Sequence, residues 1–264
     1  MEKFRALSIA GSNSRGGAGV QADLKAFQEC GVYGMGVITT VVTLQADGRR
    51  GIYPLPVEVI EEQITAAIEG IGVEALKTGV LYDSQIIDRV ASLLEKYQVQ
   101  RIVVDPVILT KRGDSLFRQE ATETLKKKLL PLATVVTPNV PEAEHLSGLS
   151  IKSVEDMKKA AVKISELGSK YVFVKGGRLE GEMAVDVLYD GQQFSLFEAE
   201  RIPTLHTNGA GCNVSAMITA ELAKGKSVEK AVERAKAMIT AAVRHAWHFG
   251  GQGAVNPSGE RLLK

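Results

Sequence analysis

The sequence contains little cysteine and no long apolar run. Cys30 and Cys212 are the only cysteines among 264 residues, too few for a disulfide framework or a cysteine metal cluster. A reducing cytoplasm is therefore the expected location. The longest weakly polar stretch, Gly34–Leu44, is too short to span a bilayer, and the N-terminal run reaches Gly11 before a signal-peptide core could form. We expect no membrane association.

The chain also lacks an excess of either charge. Lys and Arg total 32 and Asp and Glu total 31, so the net charge is +1. Without a basic excess there is no general attraction for nucleic acid, and we expect no nucleic-acid partner. A composition of 45% hydrophobic and 24% charged residues excludes a disordered chain. No linker rich in Pro, Gly or Ser interrupts it, which predicts a single domain over residues 1–264.

Two common nucleotide-binding motifs are missing. No Gly-x4-Gly-Lys-Ser/Thr occurs, and no clean Gly-x-Gly-x-x-Gly follows the first predicted strand, which disfavours Walker-type NTPases and standard dinucleotide dehydrogenases. The segment Gly11–Gly19 holds four glycines and resembles a phosphate cradle without being a P-loop. The histidines show only one weak metal-like spacing, His245/His248, on a predicted C-terminal helix.

Strand patterns alternate with helical patterns along the chain. The predicted strands are Arg5–Ala10, Gly36–Leu44, Ala75–Thr78, Arg101–Asp105, Thr134–Thr137 and Tyr171–Val174, followed by a hairpin, Ala184–Tyr189 and Gln193–Phe197, around Asp190-Gly191. The predicted helices are Gln21–Cys30, Val57–Gly70, Asp83–Tyr97, Gln119–Leu129, Pro141–Leu146, Ser153–Leu167, Gly209–Lys224 and Ser227–Phe249. This order predicts an α/β fold with a central, mostly parallel sheet, helices on both faces and an antiparallel edge.

The segment Gly209-Ala210-Gly211-Cys212 precedes an apolar helical run. Glycines let backbone N–H groups turn toward one point, and the helix N-terminus adds partial positive charge, so this segment suits a phosphate or a developing anion. A cysteine in that position should have a lowered pKa and can act as a base or nucleophile. The alternative interpretation is a glycine-rich loop with a buried structural cysteine.

Other polar residues follow predicted strands, where ligands bind in such sheets. Asp105 and Lys175 each end a strand, and Asn139 precedes Glu142 by three residues at a strand-to-helix turn. The carboxylates and the amide offer oxygen ligands to Mg²⁺, and the lysine can meet a phosphate. The alternatives are that Asn139 caps the helix, that Glu142 complements its dipole, and that the other two are turn residues.

Seven motifs occur together: Ala-Leu-Ser-Ile-Ala-Gly-Ser (6–12), Gly-Gly-Ala-Gly-Val-Gln-Ala-Asp-Leu-Lys (16–25), Lys-Thr-Gly (77–79), Asp-Pro-Val (105–107), Thr-Pro-Asn-x-Pro-Glu-Ala-Glu (137–144), Val-Lys-Gly-Gly (174–177) and Gly-Ala-Gly-Cys (209–212). In order and spacing, from about Arg5 to Phe249, they closely resemble the hydroxymethylpyrimidine and hydroxymethylpyrimidine-phosphate kinases of thiamine biosynthesis. These enzymes belong to the ribokinase superfamily, which also holds pyridoxal kinases. The resemblance implies a ribokinase-like fold, ATP and Mg²⁺ as cofactors, a small vitamin precursor as substrate, and a homodimer.

The resemblance also implies roles for individual residues. Cys212 would be the catalytic base, beside an anion hole built from the backbone N–H groups of Gly209, Ala210, Gly211 and Cys212. The nucleotide side would comprise Asp105, Asn139, Glu142, Lys175 and Gly177, with Asp105 and Glu142 as metal ligands. The substrate pocket would comprise Gly11, Ala18, Asp23 and Val107, and we expect Arg15, Gln45 and Val80, which depart from the family pattern, to belong to it as well.

Several positions depart from the family pattern. Asn13 stands where the family usually has aspartate, and Arg15 stands where it has a small residue. Leu44 aligns with the usual pyrimidine-reading glutamine, and because a one-residue slip reverses the face of a strand, neighbouring Gln45 need not reach the ring. Val80 replaces a methionine, and Asn208, Ala210 and Asn213 replace His, Thr and Thr. We hypothesise that Arg15 binds a phosphate already present on the substrate.

The leading interpretation is a kinase of 4-amino-5-hydroxymethyl-2-methylpyrimidine and its monophosphate. The alternative is a pyridoxal or pyridoxine kinase, which phosphorylates the same group on another heterocycle. A third is a non-catalytic vitamin- or nucleotide-binding regulator, although Cys212, Glu142, Asn139 and Lys175 are present. A thiol hydrolase is a fourth, but no histidine is tied to Cys212 by a recognisable motif.

Overall fold

The computed structural model describes residues 3–45, 49–108, 119–249 and 252–263. Within these ranges, no helix combines the length and the apolar character needed to cross a membrane.

One sheet of nine strands organises the described residues. The strands are β1 (Arg5–Asn13), β2 (Tyr33–Leu44), β3 (Arg50–Pro54), β4 (Ala75–Thr78), β5 (Ile102–Val104), β6 (Val135–Val136), β7 (Tyr171–Val174), β8 (Met183–Tyr189) and β9 (Phe194–Glu200). Their order is β3-β2-β1-β4-β5-β6-β7-β8-β9. Pairing is parallel from β2 to β7, while β3 at one edge and β8 and β9 at the other are antiparallel.

Helices cover both faces of this sheet. They are α1 (Val20–Glu29), α2 (Val57–Gly70), α3 (Ser84–Lys96), α4 (Gln119–Thr124), α5 (Val140–Ser147), α6 (Val154–Ser165), α7 (Ala210–Ala223) and α8 (Val228–Arg244). A π-helical turn (Leu125–Leu129) and a 3-10 turn (Leu130–Leu132) continue α4, and a second 3-10 turn spans Gly259–Leu263. One apolar core lies between the sheet and α2 to α6, and the other between the sheet and α1, α7 and α8. The predicted α/β, ribokinase-like fold class is confirmed.

Local signals in the sequence set several of the helix starts. Asp83 and Ser153 are the N-caps of α3 and α6, where each side chain accepts a backbone N–H from the third residue of its helix. Val57–Gly70, Ala75–Thr78 and Tyr171–Val174 have the predicted bounds. These elements combine a cap or a turn residue with an apolar pattern of the right period, so local and tertiary preferences agree.

The C-terminal helix prediction was wrong at its end. The apolar pattern predicted a helix through Phe249, but α8 ends at Arg244, with His245 as its C-cap. Trp247–Phe249 is instead a strand, β10, paired with β11 (Gln252–Ala254). Tertiary contacts explain the change, because Asn208 pairs with Ala254 of this hairpin and draws it over the glycine-rich loop after β1. His248 therefore contacts the His206 ring, with 4.0 Å between centroids, and does not share a helix face with His245.

Two further differences concern β1 and β3. The first strand continues beyond Ala10 to Asn13, because Ser12 and Asn13 pair with Val41 and Val42 of β2 after a register shift. The antiparallel edge strand β3 was not predicted, since a glycine and a proline lie within its five residues. Parallel strands β1, β4, β5, β6 and β7 bring their carboxyl ends to one edge of the sheet, and the predicted site residues meet there.

Candidate active site

A cavity of about 670 Å³ opens at the carboxyl edge of the sheet. The glycine-rich loop after β1 lies on one side, the N-terminus of α7 forms the floor, and the β8–β9 hairpin with α8 encloses the other side. Thirteen of the predicted site residues line it: Gly11, Ala18, Val80, Asp105, Val107, Asn139, Glu142, Lys175, Gly177, Gly209, Ala210, Gly211 and Cys212. The topology therefore brings together segments that are far apart in the chain.

Cys212 lies in the first turn of α7, beside the glycine-rich loop. Gly209 is the N-cap, with φ of 80°, and a Cβ atom there would lie 1.8 Å from the carbonyl oxygen of Gly17. The backbone N–H of Gly19 donates to the Cys212 thiol. Glycine is required at 209 for both its conformation and its close approach, and the Gly19 contact fixes the thiol against the loop.

The expected lowering of the Cys212 pKa was wrong. Burial raises the pKa of the thiol to about 11, and the Lys77 ammonium only partly offsets this effect. The carboxylates of Asp23 and Asp105 raise the pKa further. The helix N-terminus was the only local signal in the sequence, whereas desolvation and the neighbouring charges depend on the assembled fold.

A fully buried ion pair lies beneath the thiol. Nζ of Lys77 is 3.0 and 2.9 Å from the two carboxylate oxygens of Asp23, and the Ser8 hydroxyl donates to one of them at 2.6 Å. Burial alone would lower the pKa of Lys77, but Asp23, Cys212 and Asp105 together outweigh it and the pKa is raised. Asp23, predicted in the substrate pocket, thus has both oxygens engaged and does not line the cavity; its role stays a prediction.

Lys77 belongs to one of the seven motifs, but the sequence pattern assigned it no role. A lysine within the predicted strand Ala75–Thr78 is a signal that could have marked it, because strands of a parallel sheet with helices on both faces are buried and an unpaired charge is costly there. Lys77 reaches the floor of the cavity from β4.

A second buried pair links β5 and β7. Nζ of Lys175 is 2.8 Å from Oδ1 of Asp105, which also accepts the Thr137 hydroxyl at 3.3 Å. Burial lowers the pKa of Lys175, but Asp105 and Glu142 outweigh it and the pKa is raised, so the ammonium is charged. A Cβ atom at Gly211 would lie 3.4 Å from this ammonium. The lysine therefore borders the N-terminal turn that carries Cys212.

Asn139 and Glu142 form a capping box at the start of α5. Oδ1 of Asn139 accepts the Glu142 N–H at 3.1 Å, and Oε2 of Glu142 accepts the Asn139 N–H at 2.9 Å. The alternative interpretation of Asn139 as the helix cap is thus confirmed, Glu142 completes a capping box that was not predicted, and both residues also line the cavity. Burial raises the pKa of Glu142 to about 8, despite the lowering effect of Lys175. A cation near Glu142 would favour its ionised form.

The wall near the glycine-rich loop is apolar. Val42, Leu44, Val80 and Val107 line it. Gln45 and Arg15, both predicted in the substrate pocket, are exposed and are absent from the described lining. Nη2 of Arg15 donates to the carbonyl oxygen of Gln45 at 3.1 Å. The strand register thus turns Leu44, and not Gln45, toward the cavity.

Asn208 and Asn213, which depart from the family pattern, pack near the Cys212 thiol. Asn213 is buried and its Nδ2 donates to the Gly209 carbonyl at 2.9 Å, closing the first turn of α7. Nδ2 of Asn208 lies 2.6 Å from the place a Cβ at Gly17 would occupy. Both asparagines therefore hold the segment that carries Cys212.

The far side of the cavity contains residues that the sequence did not predict. They are Arg178, Asp186, Arg201, Lys236, Thr240 and Val243. Nζ of Lys236 is 2.7 Å from Oδ2 of Asp186, whose Oδ1 accepts the Gly176 N–H at 2.8 Å. No motif marks these residues, because they come from the β7–β8 loop, the β8–β9 hairpin with the residue after it, and α8, and meet only in the folded chain.

Comparison with known proteins identifies the family of this chain. The family model described as phosphomethylpyrimidine kinase matches residues 13–257. The pyridoxine kinase of Bacillus subtilis is 45% identical over 251 residues, which cover 94% of this chain and 93% of that protein. The hydroxymethylpyrimidine/phosphomethylpyrimidine kinase of the same organism is 43% identical over 258 residues, covering 97% and 95%.

A solved structure, an ADP complex of Bacillus subtilis pyridoxal kinase, is 44% identical, with a TM-score of 0.95. The match covers 99% of this chain and 100% of that one. Vitamin kinases that differ in their named substrates are thus similar to this chain to nearly the same extent. Since the family model spans most of the sequence, the chain belongs to the phosphomethylpyrimidine kinases, ATP-dependent enzymes with the ribokinase-like fold.

Proposed function

We propose that this protein phosphorylates the hydroxymethyl group of 4-amino-5-hydroxymethyl-2-methylpyrimidine, and the phosphate of the resulting monophosphate. The observation that carries the proposal is the position of Cys212. Its thiol accepts the Gly19 N–H of the glycine-rich loop, and a Cβ at the preceding Gly211 would lie 3.4 Å from Lys175 Nζ. The same cavity has an apolar wall that suits a flat heterocycle and an Asp105–Lys175 pair that suits phosphates. A base placed between the two ligands can act on the acceptor oxygen at the point where the phosphoryl group arrives.

The proposed chemistry uses Cys212, the N-terminal turn of α7 and Lys175. In the nucleotide-free protein the raised pKa of about 11 keeps Cys212 mainly protonated at neutral pH, so the thiolate is the form that acts as the base. The thiolate accepts the proton of the acceptor hydroxyl, and the acceptor oxygen forms a bond to the γ-phosphorus as the bond to the ADP oxygen breaks. Backbone N–H groups of residues 209–212 offset the charge of the moving phosphoryl group. Lys175 supplies a fixed positive charge beside them.

The residues present fit Mg²⁺. This cation prefers oxygen ligands and is usually held by one or two carboxylates together with the substrate's phosphates. Asp105 and Glu142 provide two carboxylates on the nucleotide side of the cavity. Across the described ranges, no three His, Cys, Asp or Glu side chains come close enough to hold a metal ion by themselves. The donor set therefore suits a cation shared with ATP, which would neutralise phosphate charge.

Pyridoxal is the second candidate acceptor. It also carries a hydroxymethyl group on a six-membered nitrogen heterocycle, and the apolar wall favours it as much as the pyrimidine. Leu44 offers no hydrogen bond to the exocyclic amine of the pyrimidine, so the wall does not select for that ring.

The proposed kinase acts in the cytoplasm and as a homodimer. Two free thiols, Cys30 and Cys212, support the cytoplasmic location, because a reducing compartment keeps cysteines unpaired.

The test is a coupled ADP-release assay with ATP and Mg²⁺. It compares hydroxymethylpyrimidine, its monophosphate and pyridoxal at equal concentrations. Faster turnover of both pyrimidines than of pyridoxal would support the proposal. A preference for pyridoxal would indicate instead a kinase of vitamin B6 salvage. If none of the three acceptors led to ADP release, the result would contradict the proposal and favour a vitamin- or nucleotide-binding regulator.

A further inference from the structure

The loop between β7 and β8 forms part of the proposed nucleotide side. It follows Lys175, and Gly177 and Arg178 line the cavity. Gly176 is tightly enclosed, because a Cβ atom there would lie 1.9 Å from the carbonyl oxygen of Val185. Gly181 has a φ of 130°, which other residues rarely adopt. With three glycines in six residues, 176–181, this loop has a high conformational entropy when it is not held.

Arg201, directly after β9, holds the loop with its guanidinium. Nη1 donates to the carbonyl oxygen of Gly177 at 2.8 Å, and Nε donates to that of Gly181 at 2.7 Å. Nη2 donates to the carbonyls of Leu179 and, at 3.4 Å, Met183. The backbone N–H of Arg201 also donates to the carbonyl of Glu182 at 2.9 Å. One side chain thus contacts four carbonyl groups spread across residues 177–183.

An arginine that lines a nucleotide cavity is usually a direct phosphate ligand, because its planar guanidinium matches phosphate oxygens. Here four donor contacts go to carbonyl oxygens of the protein itself. We propose that Arg201 is a positioning residue, which holds residues 177–183 in the shape that binds the nucleotide, and is not a phosphate ligand. The inference rests on the proposed nucleotide side of the cavity and does not depend on which acceptor is used.

The geometry requires a guanidinium. Carbonyls that fan out around one point need several donors in a fixed plane, and a lysine ammonium on a flexible stem reaches fewer of them. Arg201→Lys should therefore keep the charge and part of the bonding, whereas Arg201→Met loses both. Arg101, exposed at the opposite end of the sheet before β5, provides a charge-matched control as Arg101→Met.

The experiment measures ADP binding by calorimetry and backbone amide exchange of the protein without nucleotide. For Arg201→Met, we expect the Kd of ADP to rise about tenfold, since several hydrogen bonds that order the loop are lost. Amides of residues 177–183 should exchange faster, while those of the sheet core do not change. Arg201→Lys should lie between, and Arg101→Met should match the unmodified protein. The KM of the acceptor should stay constant while that of ATP rises.

Two results would overturn the inference. Weaker ADP binding with unchanged exchange in 177–183 would identify Arg201 as a direct phosphate ligand. Unchanged ADP binding would show that the loop does not depend on it, and Arg201→Lys provides the same test if Arg201→Met does not fold. Failure of the proposed function is separable: a protein that binds ADP but phosphorylates none of the three acceptors contradicts that proposal and leaves this one intact.

Discussion

The two halves of the cavity are built in different ways. On the transfer side, charged groups are buried and paired: Lys77 with Asp23, and Lys175 with Asp105. On the acceptor side, Val42, Leu44 and Val80 form an apolar wall that offers few directional contacts. Removing one member of a buried pair leaves an uncompensated charge, whereas exchanging one apolar side chain for another costs far less.

This difference explains how one scaffold can serve related vitamins. The chain is similar to a pyridoxine kinase and to a hydroxymethylpyrimidine kinase at 45% and 43% identity. In the proposed function, phosphoryl transfer would depend on the paired charges and the helix N-terminus. Selectivity between acceptors would depend on the apolar wall, where the fold tolerates a substitution.

The largest effect should come from Cys212→Ala. A positioned general base contributes about 10²–10⁴-fold to a rate, so we expect kcat to fall within that range. ADP affinity, measured by calorimetry, should not change, because the thiol meets the acceptor and not the nucleotide. Cys212→Ser is the matched variant of similar size. Unchanged turnover in the alanine variant would show that the Cys212 thiol is not the general base.

Lys77→Met should chiefly reduce stability. Breaking a fully buried pair costs about 3–5 kcal/mol, because the Asp23 carboxylate would be left without its partner. Urea unfolding measures this loss, and the double variant Lys77→Met/Asp23→Asn should recover part of it. Equal stability of the single and double variants would show that the two side chains are not energetically coupled.

The stability of the nucleotide-free protein should depend on pH through Glu142. Burial raises the pKa of Glu142 from 4.5 to about 8, so the folded state keeps a proton that the unfolded chain releases. The contribution of the Glu142 carboxyl to the free energy of unfolding is therefore fully present below pH 4.5. It is lost as the pH rises through about 8, by at most about 1.4 kcal/mol per pH unit. Glu142→Gln should flatten the pH dependence of Tm. An identical profile in the variant would contradict the assignment.

Leu44→Gln should change selectivity without changing the transfer step. An amide on the wall can hydrogen-bond the exocyclic amine and ring nitrogen of the pyrimidine, which favours that acceptor over pyridoxal by about tenfold in kcat/KM. Gln45→Leu is the neighbouring test, and it should leave the ratio unchanged because Gln45 points away from the cavity. If only Gln45→Leu shifts the ratio, the wall is formed by the other face of the strand.

The smallest effect is expected for Arg15→Ala. Its exposed guanidinium lies near the cavity rim, at the carbonyl of Gln45, and an exposed charge contributes up to about 1 kcal/mol. If Arg15 binds a phosphate on the acceptor, the variant should lose a few-fold in kcat/KM for the monophosphate and nothing for the free alcohol. An unchanged ratio between these two substrates would refute the hypothesis.

Local patterns predicted most of the fold and much of the cavity lining. The caps Asp83 and Ser153 and the strand Tyr171–Val174 were predictable because a short stretch of sequence contains every interaction that defines them. The capping role of Asn139 was predictable for the same reason. The prediction of a helix through Phe249 was wrong because the pairing of β10 with β11 involves residues outside the pattern.

The Cys212 thiol shows the limit of local reasoning most clearly. A helix N-terminus predicts a lowered pKa, but burial among Asp23 and Asp105 raises it to about 11. Likewise, the roles of Lys77 and Arg201 depend on partners far away in the sequence, and no spacing rule identifies such partners.

By itself, the sequence determined the alternation of strands and helices, the glycine-rich turns and the residues that end each parallel strand. These follow from backbone preferences and apolar periodicity, which act over a few residues. Only the tertiary structure decided which charges pair, which of Leu44 and Gln45 faces the cavity, and how strongly the thiol holds its proton. Those properties depend on burial and on distances between remote segments, because the energy of a charge or a hydrogen bond is set by everything packed around it.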